Sequence, residues 1–386
     1  MRLHLLTPKK KRRCHSFLFP LRVFKRQIRE LGLDVVVFSD SAAGGLCDCD
    51  VLCVANDSFS IPELLEPVRP SDFLSSVRDR VDGLVWLDNS DGTGQVMAFC
   101  FDFVDVYAKK QLLRDRSLYS GTFFERELHL DYYYQHNRKE LEKIGTLSRI
   151  VNQRGLTEAE TQKLELSWNI GLGDYKAFWG RGRSLRRFWP WASFSKPTAA
   201  ASSNRTIDVS YRASTNYPAP AVPFHRLRIG ESLRELSEGA DRWRLDGFVS
   251  YQEYVAELDN TRIAPSPFGL GEICWRDFET WLSGAMLLKP NMDHLETWPD
   301  YFENGVTSVA HAWDFTDLKQ VTLDLLSNEA RRAAIAEAGQ TRFLSSLTEA
   351  AGEEFAIRLK ALAETAISNR RGAEGAIATN HSPSGQ

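Results

Sequence analysis

Ile263-Ala264-Pro265-Ser266-Pro267-Phe268-Gly269-Leu270-Gly271-Glu272-Ile273-Cys274-Trp275-Arg276-Asp277-Phe278-Glu279 is the stretch on which the fold turns. A short strand-forming run feeds a turn with two glycines, and the turn opens a segment of helical periodicity. It runs on through Thr280 to Gly284 and a second apolar strand, Ala285 to Leu288, into Lys289-Pro290-Asn291-Met292-Asp293-His294. Strand, helix and strand at this spacing form a parallel α/β unit, whose ligands collect at the carboxyl ends of the strands. Gly269 and Gly271 let backbone amides approach a ligand, and the helix N-terminus offers partial positive charge to phosphate. Glu272, Arg276 and Glu279, four and three apart, fall on one helix face. Arg276 can fork onto a diphosphate and Glu279 can accept from a ribose diol. An exposed helix with an i,i+4 Glu–Arg pair would read alike; the glycines, and Asp293 with His294 at the end of the next strand, favour a site.

Working outward, the second half repeats the theme. Ile207 to Tyr211 reads as a strand, followed by helices around Arg226 to Glu238 and Tyr251 to Leu258 and the strand Arg262 to Pro265. The first half has its own set: strands Arg2 to Leu6, Asp34 to Ser39, Val51 to Ala55 and Gly83 to Leu87, with a helix Phe17 to Leu31 and another at Ile61 to Arg69 or Phe73 to Arg80. Strands apolar throughout and separated by helices describe a parallel sheet covered on both faces. Residues from about 138 to 177 read as mostly helical. The expected organisation is α/β with four parts: 1–200, a domain with a helical linker; 201–330, a second α/β domain; 331–369, amphipathic helices; and 370–386, a tail without regular structure.

Composition narrows the class. The chain has 386 residues, 48 basic and 51 acidic, for a formal charge of −3, with 43% hydrophobic and 11% aromatic residues. Near-neutrality argues against a dedicated nucleic-acid binder. No apolar run reaches the length of about 18 residues needed to span a membrane, and Lys9 to Arg13 stand where a signal peptide would carry its apolar core. Six cysteines are too few and too unevenly placed for a disulfide scaffold, so reduced thiols in a cytosol are expected. Cys47, Cys49 and Cys53 share one strand face, but without a fourth ligand they read as buried thiols rather than a zinc site.

The run from Ser266 to Glu279, with Gly284 and Pro290 to His294, resembles the donor-binding half of GT-B glycosyltransferases, including exostosin-like and family-1-like bacterial enzymes. The resemblance covers roughly residues 205 to 325 and is only architectural before them. It implies two Rossmann-like domains facing across a cleft: an acceptor side first, and a donor side second with Arg276 on the diphosphate and Glu279 on the ribose of a nucleotide sugar. Arg212 and Arg226, the latter beside His225, are further candidates to neutralise a departing diphosphate, in place of a divalent ion. Retaining members carry two glutamates eight positions apart; Glu272 and Glu279 are seven apart, which points to inversion.

Inversion needs a base across the cleft. Asp91 is favoured over Asp88, both following the strand Gly83 to Leu87, where Gly92 and Gly94 leave room for a sugar; an Asx turn would use the same residues. His15, in the loop after the first strand, is the third candidate. Asp48-Cys49-Asp50 precedes a strand in the wrong domain for a metal-binding Asp-x-Asp. The expected activity is transfer of a sugar from a nucleotide donor to a glycan or lipid-linked acceptor, without cofactor or metal. A nucleotide-sugar epimerase and a catalytically silent nucleotide-sugar or glycan binder are the alternatives. The basic, aromatic segment 178–196 (Trp179, Arg181, Arg183, Arg186, Arg187, Trp189, Trp191) suits contact with the inner membrane leaflet, or interdomain packing with arginines turned outward.

Overall fold

The structure, a computed structural model, describes residues 1–8, 17–147, 154–172, 198–200 and 204–380. His15, Lys9 to Arg13 and the segment 178–196 lie outside the described residues. The first domain comprises β1 (Arg2–Leu6), α1 (Phe19–Val23), α2 (Lys25–Glu30), β2 (Asp34–Phe38), β3 (Val51–Ala55), α3 (Ile61–Leu65), α4 (Val68–Arg78), β4 (Gly83–Asp88), β5 (Val106–Lys109), β6 (Gln111–Leu113), α5 (Leu128–Ile144), α6 (Glu158–Thr161) and β7 (Leu164–Leu166). Six of its strands form a wholly parallel sheet in the order β2-β1-β3-β4-β5-β7. Every residue of β3 and β4 is buried, because both faces are covered. Val51, Cys53, Val85 and Leu87 face one apolar layer, and the alternating Leu52, Val54, Leu84 and Trp86 face the other.

The second domain comprises β8 (Ile207–Ser210), α7 (Ala221–Ser237), β9 (Trp243–Arg244), α8 (Tyr251–Asp259), β10 (Thr261–Pro265), α9 (Trp275–Ser283), β11 (Met286–Pro290), β12 (Leu295–Thr297), β13 (Val309–His311), α10 (Leu318–Ser327) and α11 (Glu329–Ser345). Its parallel sheet runs β13-β11-β10-β8-β9, the same winding as the first. The molecule thus has two Rossmann-like domains facing across a cleft, as expected. Between them, β6 and β12 pair antiparallel, Gln111 opposite Thr297 and Leu113 opposite Leu295. Each follows directly on a strand of its own sheet, so this ribbon ties the two carboxyl edges together.

The C-terminal helices divide their allegiance. α11 packs on the second sheet through Ile335 and Ala336, whereas α12 (Glu349–Asn380) returns to the first domain and lays Phe355, Leu359, Ala363 and Ala366 on its apolar layer. Residues 370–380, expected without regular structure, continue α12. A Cβ on Gly83 would lie 3.0 Å from that of Ala366, so glycine lets helix and strand meet. Arg370 then forks onto buried Asp105, Nε and Nη2 each at 2.9 Å, and Nη1 donates to the Arg78 carbonyl at 2.7 Å. Lysine has the charge but not the planar fork, so Arg370→Lys is expected to cost about 1–2 kcal/mol in chemical denaturation, leaving activity unchanged.

Two further expectations are corrected. The segment Phe17 to Leu31 is two short helices, α1 and α2, meeting at Phe24. Among the described residues beyond 138 the chain is not mostly helical: α5 ends at Ile144, and β7 supplies the sixth strand of the sheet. Cys47 and Cys53 are buried and Cys49 is partly so; burial pushes the thiols up, Cys49 to about 11, which suits packing rather than metal ligation. No helix among the described residues is long and apolar enough to cross a membrane.

Candidate active site in the interdomain cleft

Strand register creates the first polar cluster. Asp88 and Lys109 are Cα partners at the carboxyl ends of β4 and β5, and their side chains form a fully buried ion pair at 3.0 Å. Asp88 also accepts from Tyr107 Oη at 2.8 Å, Asn56 Nδ2 at 3.1 Å and the Ser90 amide at 2.7 Å. Burial opposes its charge, but the Lys109 ammonium and these donors outweigh it and hold the carboxyl below its usual range. Asp88, an expected base, is therefore withdrawn from any acceptor. It fixes the loop that follows.

That loop lines a cavity of about 600 Å³. Asn56, Asn89, Ser90, Asp91 and Glu127 give it polar groups, Phe59, Leu64 and Met97 an apolar side, and Ala219 and Leu270 reach it from the second domain. Asp91 keeps a third of its side chain exposed there and pairs with Lys110 Nζ at 3.3 Å. Its carbonyl accepts from Gln111 Nε2 at 2.9 Å. Of the two proposed bases among the described residues, Asp91 is the one placed on the cavity.

The glycine-turn residue Glu272 takes a different part from the one expected. α9 starts at Trp275, where the Asp277 carboxylate accepts from the Cys274 amide at 2.9 Å, so Glu272 precedes the helix and does not share a face with Arg276 and Glu279. It is fully buried against the first domain. One oxygen accepts from the Thr93 amide at 3.1 Å and Gln111 Nε2 at 2.9 Å; the other faces His294 Nε2 at 3.3 Å and His129 Nδ1 at 3.5 Å. The imidazoles outweigh the effect of burial and hold Glu272 well below the usual carboxylate range. Beside it, Glu127 is raised well above that range, by burial first and by the Glu272 charge second.

Glycines make this contact possible. A Cβ on Gly271 would lie 1.7 Å from the Asp91 carbonyl oxygen, and one on Gly92 would lie 1.5 Å from Glu127 Oε1. Gly271 therefore serves close approach of the two domains. Gly92→Ala is expected to expel the Glu127 carboxylate and cost about 2 kcal/mol, read as a lower midpoint in urea.

The remaining donor candidates surround the second sheet's carboxyl edge. Arg212 is held bidentately by Glu257, at 3.1 and 2.8 Å. Arg226 supports the glycine turn, with Nε donating to the Phe268 carbonyl at 3.0 Å and Nη1 to that of Ser214 at 2.8 Å, its guanidinium lying 4.6 Å from the Tyr217 ring centroid. The Phe268 amide donates to His225 Nε2 at 3.1 Å, while His225 Nδ1 and Tyr133 Oη meet at 2.7 Å, and burial drives the imidazole well below its usual pKa. Gly269 accepts from His129 Nε2 at 3.3 Å. Glu279 accepts from Tyr254 Oη at 3.0 Å and Tyr251 Oη at 3.4 Å, and Arg276 lies over the Tyr254 ring. Asp293 is exposed and closes an Asx turn with Asn291, away from the cluster its neighbour His294 joins. Sequence reasoning missed Glu127, His129, Lys109 and Gln111; only the position of Lys109 at the end of a strand, with Gln111 just after it, could have suggested them.

No family model matches the sequence, and no curated protein sequence matches it. Among solved structures it is similar to Anabaena HepE in complex with UDP-glucose (11% identity, 94% of this chain and 99% of that one, TM-score 0.43). It is also similar to an alpha-glucosyltransferase in complex with UDP (12% identity, 93% and 100%, TM-score 0.40) and to a glycosyltransferase from Rickettsia africae (8% identity, 94% and 98%, TM-score 0.43).

Proposed function

We propose that the chain is a nucleotide-sugar-dependent glycosyltransferase that works with inversion, taking its acceptor in the first-domain cavity. The observation that carries this reading is the cavity itself. It lies at the carboxyl edge of one parallel sheet, is lined also by Leu270 of the other domain's glycine turn, and presents Asp91 on its wall. A hydroxyl held there would give its proton to Asp91 as its oxygen bonds to the anomeric carbon, while the bond from that carbon to the diphosphate oxygen breaks. Arg276 and Glu279 are the groups assigned to diphosphate and ribose, with Arg212 and Arg226 beside them. The acceptor is a glycan or a lipid-linked saccharide; the cavity's polar groups and its apolar side supply contacts for both parts of such a molecule.

The test is a thermal-shift screen of the full chain against nucleoside diphosphates and nucleotide sugars. A ligand at about a hundred times its Kd stabilises the native state by about 2.7 kcal/mol, enough to see as a raised melting temperature. No shift with any of them removes the reading.

A further inference from the structure

The buried cluster between the domains has the makings of a metal centre. Glu127 and His129 come from the first domain and Glu272 from the second, and one ligand atom from each lies within 4.8 Å of the others. His129 Nε2 faces the Gly269 carbonyl at 3.3 Å and so carries a proton; in the neutral imidazole Nδ1 is then a lone pair. That atom is buried and has no hydrogen-bond partner, yet it faces Glu272 Oε1 at 3.5 Å. Positive charge belongs between this nitrogen and the carboxylate: a second proton on the imidazole or a bound cation, and metal retention tells the two apart. Gln111 Oε1 is a second buried atom without a partner, on a side chain whose Nε2 donates to Glu272 at 2.9 Å.

We infer that Glu127, His129 Nδ1 and Glu272 bind a divalent transition-metal ion, of which zinc fits best, as a clip between the two domains. Bonds of about 2.0–2.1 Å in a tetrahedron set neighbouring ligand atoms about 3.4 Å apart, close to the separation across the His129–Glu272 pair. Two carboxylates and a neutral imidazole sum to two negative charges, which a divalent ion cancels. An imidazole with carboxylates and no thiolate suits zinc better than magnesium or calcium, which prefer oxygen alone. The ion ties the two domains together, its fourth tetrahedral position left to a water, and this does not depend on the chain transferring sugars.

The test uses the full chain, stripped with a chelator and dialysed against zinc chloride, with bound metal measured by elemental mass spectrometry. One zinc per chain is expected, with a melting temperature about 3 °C higher at a hundredfold excess over Kd. His129→Gln and Glu127→Gln are expected to weaken binding at least tenfold and abolish that shift. Cobalt in place of zinc should give visible d–d bands without the thiolate charge-transfer band that cysteine ligands would produce. The inference is overturned if no ion is retained, if both variants bind as the parent does, or if the thiolate band appears. Should the variants fail to fold, dialysis and the cobalt spectrum of the unaltered chain still decide.

Discussion

Asp91→Asn is expected to lower turnover by about a hundredfold to ten-thousandfold, the range typical of a positioned general base, with little change in melting temperature. The side chain stands on the cavity wall with a third of its surface exposed, so asparagine fits without burying an unpaired group. It keeps an acceptor oxygen for Lys110 Nζ, now at 3.3 Å. What it loses is the ability to take a proton. The loss should therefore fall on kcat, with KM for the donor unchanged, because the donor groups Arg276 and Glu279 belong to the other domain. The measurement is steady-state transfer with the nucleotide sugar that gives the largest thermal shift. Parent-like turnover by Asp91→Asn would remove it as the base and turn attention to the other carboxylates on the cavity wall, Asp57, Glu125 and Glu127.

How much of this could be read beforehand differs between scaffold and site. Val51 to Ala55 and Gly83 to Leu87 are apolar at every position, which only a doubly covered parallel strand requires, and β3 and β4 lie there. The strand, turn and helix from Ile263 to Glu279 were equally legible, yet Glu272 was assigned to the helix although Cys274 and Asp277 already had the spacing of a cap. That error of one turn moved a carboxylate from the domain interface to a donor face. β6 was not legible, because three residues pair with β12 across the cleft and leave no period of their own. Glu127 and His129 carry no signal either: their partner Glu272 lies in the other domain, and neither flanking residue marks them as a site. Local periodicity records which faces are covered, whereas a cluster assembled from distant segments is written only in the tertiary fold.

Lys109→Met is expected to cost about 3–5 kcal/mol at neutral pH, because it leaves the Asp88 carboxylate buried without its counter-charge. Both side chains are fully buried, so water cannot substitute for the missing ammonium. Methionine has a similar volume, which keeps packing loss small beside the electrostatic one. The sign of the pH dependence follows. In the parent, Asp88 is depressed below the unfolded value, so its stabilisation is complete above that value and is lost only as pH falls through the folded pKa. In the variant, burial acts without Lys109 and raises the carboxyl instead, so acid protonates it and lifts the penalty. The stability gap between parent and variant should therefore shrink from pH 7 to pH 5, as measured by urea denaturation. Adding Asp88→Asn should restore most of the loss, since a neutral amide oxygen can still accept from the Ser90 amide, now at 2.7 Å. A gap that stays constant with pH, together with a double variant as unstable as the single, would show that packing rather than the ion pair carries the effect of Lys109.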